Sequence, residues 1–299
     1  MTWNFELVAG PFKGRTGGLA WDGKGMLCSA VLEERVVRYD PATNKADNFR
    51  RWTGRVNGLA IAKDGSVFGA QEGGRRVIQF LNDGTATPIT EFLDGKRNNQ
   101  PCDVALDSKG RVWIADAYNA QAPYGPPTAP MLPHASVLRA DPEGPGRYRL
   151  NRVTHDTSGP QAVLLSADEK TLYVADGDAE RGDVCQLVSY SINEHGSLGH
   201  HSHHGKTLLN FQFGERGIAG LCLDSDGNII CCMGWKKGGS GAVMIVVSPG
   251  GTILETHAAP ADMPMRCAFG DADLGSLYVT AADGGLYRAK GIGRKGFKR

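Results

Sequence analysis

Cys102 and Arg266 carry the side chains with the most reactive promise in this sequence. A thiol becomes a nucleophile when a nearby base or cation lowers its pKa, and a guanidinium presents paired donors to a carbonyl or carboxylate. Gln161 offers amide donors for the same polarising task. Asp103, Asp116 and Asp176 are acceptors able to take a proton from water, and His134 titrates near neutrality and can act as acid or base. Asn57, Glu72, Asp103, Tyr118 and Trp235 have the size and polarity to line a substrate pocket, with Tyr124 beside them. Each candidate also has a plainer role. Cys102 can be a small buried filler, His134 a brace for its loop, and the aspartates ties for backbone amides.

The elements that must position these residues are repeats. An apolar triplet, an acidic or small turn and a second apolar run recur from Leu19, Leu59, Val104, Val163, Leu221 and Ala268. Copies such as Leu59-Ala-Ile-Ala-Lys-Asp-Gly-Ser-Val-Phe read as β-hairpins whose Asp-Gly turn supplies positive φ angles. A second hairpin signal follows most copies, as in Arg76-Val-Ile-Gln-Phe-Leu-Asn-Asp-Gly. Four strands per unit at intervals of roughly 40 to 60 residues is the pattern of a propeller blade. The expected fold is therefore all-β, a six-bladed β-propeller in one domain over 1–299, with 290–299 as a basic, solvated tail. In such a ring the innermost strands line a channel. One residue per blade then stands at a common mouth: Gly17, Asn57, Cys102, Gln161, Ala219 and Arg266. Asp116 and Asp176 return to that mouth at matching offsets, which makes it the default pocket.

Composition agrees with a folded, turn-rich protein. Of 299 residues 41% are hydrophobic and 41 are glycine, which disfavours disorder, helical bundles and α/β enzymes. Lys+Arg number 33 against 32 Asp+Glu, so the net charge of +1 sets up no field for nucleic acid or an anionic membrane. The start of the chain has neither a secretory pattern nor a long apolar run, and its seven cysteines lack metal-ligand spacing. A cytoplasmic protein with reduced thiols, monomeric or weakly homo-oligomeric, is expected. The segment from His195 to His204 places His201 and His203 on one extended face, yet it falls in outer-strand territory and reads as a solvated turn. The proline-rich insertion from Ala120 to Pro133 is long enough for a lid over the mouth.

Thr16-Gly-Gly-Leu-Ala-Trp, Val56-Asn-Gly-Leu, Gly95-Lys-Arg-Asn-Asn-Gln-Pro-Cys-Asp-Val, Arg216-Gly-Ile-Ala-Gly-Leu-Cys-Leu-Asp and Cys267-Ala-Phe-Gly-Asp together resemble the gluconolactonase/senescence-marker-protein/luciferin-regenerating family. The resemblance spans nearly the whole chain. It implies a six-bladed propeller that hydrolyses lactones or related esters with one divalent cation in the channel. At the positions that the family uses for that cation, this sequence has Gly17 for glutamate, Cys102 and Gln161 for asparagines, and Ala219 for aspartate; Arg266 also replaces an asparagine. Calcium requires several hard oxygen ligands, so no metal and no other cofactor is expected.

The expected function is metal-independent opening of a lactone or related cyclic ester in the channel. Arg266 and Gln161 would polarise the carbonyl, Asp116, Asp176 or His134 would handle protons, and Cys102 would attack. A metal-free lyase, isomerase or cyclase and a non-catalytic small-molecule-binding propeller remain open alternatives, because the site and not the fold decides among them.

Overall fold

The computed structural model describes residues 2–118, 129–198, 204–212 and 214–298. They form six four-stranded antiparallel sheets, with one short extra ribbon of Phe92–Leu93 and Lys96–Arg97. The innermost strands are Thr16–Trp21, Val56–Ile61, Gln100–Leu106, Ala162–Leu165, Ile218–Leu223 and Pro264–Gly270, and each is the edge of its sheet. Five blades use four consecutive strands. The sixth takes Pro264–Gly270, Ser276–Ala281 and Leu286–Lys290 and is completed by Phe5–Ala9, paired antiparallel with Leu286–Lys290. The ring is thus the expected six-bladed propeller, closed by a strand from the start of the chain.

The hairpin turns form as the repeats predict. Gly65 turns blade two with a φ of 86°, and in blade four Glu169 takes the same left-handed region at 57°, where a side chain is tolerated at some cost. Strand residues alternate sides, so each blade presents one apolar face to each neighbour. In blade four Val163 and Leu165 pack with Trp113 and Val137 of blade three, whereas Ala162 and Leu164 pack with Leu221 and Ile229 of blade five. Six such clusters, one per blade interface, make the core.

Near the channel mouth the inner strands approach so closely that some positions admit no side chain. A Cβ on Gly58 would meet Asp103 Cα at 2.5 Å, and one on Gly220 would meet Arg266 Cα at 2.7 Å. All seven cysteines are free. No helix among the described residues is long and apolar enough to cross a membrane.

One sequence expectation changes here. The basic tail is docked rather than frayed: Gly296 N donates to Leu274 O at 2.8 Å, Phe297 N donates to Leu223 O at 3.2 Å, and Arg294 pairs with Asp224 and Glu255. These bonds lay it across the rims of blades five and six. Of the insertion, residues 129–133 are seen, with Arg97 N donating to Pro130 O at 2.8 Å. The proposed lid segment 120–128, with Tyr124, and the pair His201 and His203 lie outside the described residues.

Candidate active site in the central channel

Because every inner strand is a sheet edge, its unpaired N–H and C=O groups face the axis. Arg266 uses them. Its Nη2 donates to Cys102 O at 2.9 Å and Gln161 O at 3.2 Å, and its Nη1 donates to Met265 O at 3.0 Å and to Ala219 O. One guanidinium therefore ties the inner strands of blades three, four, five and six and closes the channel at that level. Its donors are spent on backbone, so the expected bidentate grip on a substrate is not what this geometry offers. Nε makes no hydrogen bond and faces Asp103 Oδ1 at 3.6 Å.

Asp103 is the residue whose place matters most beyond expectation. Its carboxylate accepts from Val163 N at 3.2 Å and is about one-tenth exposed. Burial raises its pKa above the ordinary aspartate value, opposed by the Arg266 charge and two backbone N–H bonds. What Asp103 faces is a chamber of about 740 Å³ that runs from this pair down the channel, away from the mouth read from the sequence. Leu19, Leu59, Val163, Leu221 and Phe269 wall it, and its far rim carries the exposed residues Gly23, Lys63 and Lys298. The default pocket is thus corrected: Arg266 fills the predicted mouth, and the open space lies on its other side. Trp21, Lys63 and Phe297 were missed as lining residues. The signal was present in the repeats, since the turn that ends each inner strand must stand at the opposite rim.

Most of the remaining candidates are engaged elsewhere. Cys102 Sγ points at Pro160 O, Gln161 O and Ala115 O at 3.3, 3.4 and 3.5 Å, and burial pushes its thiol up to about 12. Burial among carbonyl acceptors disfavours the thiolate, so this geometry supports the filler role over the nucleophile. Cys102→Ala is expected to leave kcat/KM unchanged and to lower stability by about 1 kcal/mol, measured by steady-state kinetics and denaturant unfolding.

Asp116 and Asp176 are ties. Asp116 Oδ2 accepts from Asn99 N at 2.9 Å, and Asp176 accepts from Ser158 N and Gly159 N at 3.0 and 2.9 Å. Gln71, at the same offset in blade two, donates to Thr53 O at 2.9 Å. In all three blades the group pins the linker entering its own inner strand, which is the structural role of a backbone tie. Burial nevertheless raises Asp116 to about 7.

His134 is engaged in the same way: its Nδ1 lies 3.0 Å from Ser136 Oγ and its carbonyl accepts from Asn99 Nδ2 at 2.7 Å. Burial and the charges of Arg152 and His155 lower its pKa. It braces blade three. Gln161 turns its amide back to Gly159 O at 3.2 Å. Tyr118 lies under the Arg181 guanidinium at 5.0 Å, and Trp235 lies under the Lys237 ammonium at 5.2 Å. Glu72 accepts from Arg15 Nη2 at 2.7 Å, Gln100 Nε2 at 3.0 Å and Asn57 Nδ2 at 3.3 Å, a network that joins blades one to three.

The residues at the metal positions do not fit a divalent cation. A Cβ on Gly17 would meet Asn57 O at 2.7 Å and its Oδ1 at 2.8 Å, so a carboxylate has no room to be reinstated there. Ala219 offers no side-chain donor, Cys102 stays a thiol, and the inward carbonyls of Cys102, Gln161 and Ala219 already serve the guanidinium. Among the described residues no group of three His, Cys, Asp or Glu is disposed to hold a metal.

An all-β ring with a charged pair at the blind end of an axial chamber defines a six-bladed propeller of the channel-site class. The model of the SMP-30/Gluconolactonase/LRE-like region matches residues 15–283, and the chain belongs to that family. It is similar to a gluconolactonase of Zymomonas mobilis, 25% identical over 241 residues that cover 76% of this chain and 60% of that protein's length. It is likewise similar to regucalcin of Xenopus laevis, 24% identical over 293 residues that cover 92% of this chain and 90% of the relative. Among solved structures, a gluconolactonase of Xanthomonas campestris superposes with a TM-score of 0.80 at 22% identity, covering 96% of this chain and 89% of that one.

Proposed function

We propose that this protein opens a lactone or related cyclic ester, a small-molecule substrate, in the chamber below Arg266 and does so without a resident divalent metal. The family and the lactonases among its relatives support the reaction class. The observation that carries the reading is the buried Asp103–Arg266 pair at the inner end of the chamber, with the other charged lining residues at the rim.

In this reading Asp103 accepts a proton from a water molecule as its oxygen attacks the lactone carbonyl carbon. The ring C–O bond then breaks, and the proton passes to the departing alkoxide, which yields a hydroxy acid. Arg266 acts through its charge. It opposes the effect of burial on Asp103 and offsets the negative charge developing on the carbonyl oxygen, while unpaired N–H groups of the inner-strand edges supply hydrogen bonds. The four carbonyl bonds keep that charge fixed, so little reorganisation is needed as the reaction proceeds.

The test is hydroxy-acid release by purified protein before and after exhaustive treatment with a strong chelator. An unchanged rate is expected. Loss of the rate with recovery on adding calcium or zinc overturns metal independence, and no turnover of any lactone overturns the reaction itself.

A further inference from the structure

The side chains around the chamber specify what kind of molecule fits it. Among the described residues that line it there is no Ser, Thr, Asn, Gln, His or Tyr. Its charged groups are confined to the inner end, Asp103 and Arg266, and to the rim, Asp22, Lys63 and Lys298, of which Asp22 is already paired with Arg38. Between them the partly exposed Trp21, Ile61, Leu106, Leu274 and Phe297 supply the apolar side chains of the lining, while Leu19, Leu59, Val163, Leu221 and Phe269 border it from the blade interfaces. A polyhydroxylated ring placed here would find no side-chain hydroxyl or amide and would have only main-chain groups of the strand edges, fixed in position, to replace water; each hydroxyl that they leave unmatched costs about 1–3 kcal/mol. An alkyl chain would gain about 0.8 kcal/mol per buried CH₂. The volume is in the range of small-molecule sites, roughly 300–1,000 Å³.

We infer that the chamber selects a lactone bearing an apolar alkyl substituent over a polyhydroxylated sugar lactone, the ring carbonyl meeting the Asp103–Arg266 end and the chain lying along the wall toward the rim. This rests on the proposed hydrolysis. The carboxylate released on ring opening would be drawn from the blind end toward Lys63 and Lys298.

Two measurements separate the specificity from the reaction. The first compares kcat/KM for δ-decalactone and glucono-δ-lactone by proton release; a preference for δ-decalactone of about tenfold or more is expected. The second is calorimetric binding of the two corresponding lactams, which resist hydrolysis; the decalactam should bind as one equivalent with a negative heat-capacity change. Ala272→Trp, at an exposed rim position that lines the chamber, blocks access without touching the core and should weaken both readouts about tenfold with an unchanged unfolding midpoint. Preference for glucono-δ-lactone or its lactam overturns the inference, as does no effect of Ala272→Trp. Failure of both lactams to bind overturns it as well. One-site decalactam binding, blocked by Ala272→Trp but with no lactone turned over, removes the hydrolysis and leaves the apolar site standing.

Discussion

Asp103→Asn abolishes lactone opening: kcat/KM falls by about 10²–10⁴-fold, the range a positioned general base supplies, while the fold persists because the amide keeps the carboxylate's shape. Asp103 is the carboxylate at the inner end of the chamber, and its neighbours Val163 and Arg266 hold it in place. Initial rates with the wild-type protein should also rise through an acid limb lying above the ordinary carboxylate pKa of about 4. The sign follows from burial, which raises the pKa: the base form is lost as pH falls through that raised value, so activity declines earlier on acidification than for an exposed aspartate. A variant with wild-type rates, or one whose acid limb is unmoved, would assign proton transfer to another group.

Arg266→Met should be the most destabilising single change in the channel. The guanidinium is 7% exposed and supplies hydrogen bonds to four inward carbonyls. Removing it leaves those acceptors without their donor and Asp103 buried beside no cation. Breaking a buried pair from one side costs about 3–5 kcal/mol, and denaturant unfolding reads this directly. Added calcium should not restore the loss, because Gly17 and Ala219 bring no carboxylate to hold the ion. Full recovery of stability with calcium would instead show that the channel still accepts a divalent ion.

The blade pattern was legible because each hairpin is local: an apolar run, a turn with Asp and Gly, and a second run fall within about a dozen residues. Aligning the copies also found Arg266 on the channel ring, and it noted Asp103 as a pocket residue. Closure by Phe5–Ala9 was not legible, since that pairing joins segments at opposite ends of the chain and no periodicity links them. The role of Arg266 escaped for a different reason. Its partners are main-chain carbonyls of Cys102, Gln161, Ala219 and Met265, and a carbonyl carries no letter of its own. The same applies to Asp116 and Asp176, whose matching offsets were visible while the amides that they bind were not. Those offsets argued for repeated architecture more than for chemistry, because a tie is needed in many blades and a catalytic base in one.

The close approach at Gly17 also limits what single substitutions can reach. A carboxylate placed there collides with Asn57, and deleting Arg266 alone strands Asp103 without its counter-charge. Each of these two changes passes through a less stable protein, so the close strands and the guanidinium hold one another in place.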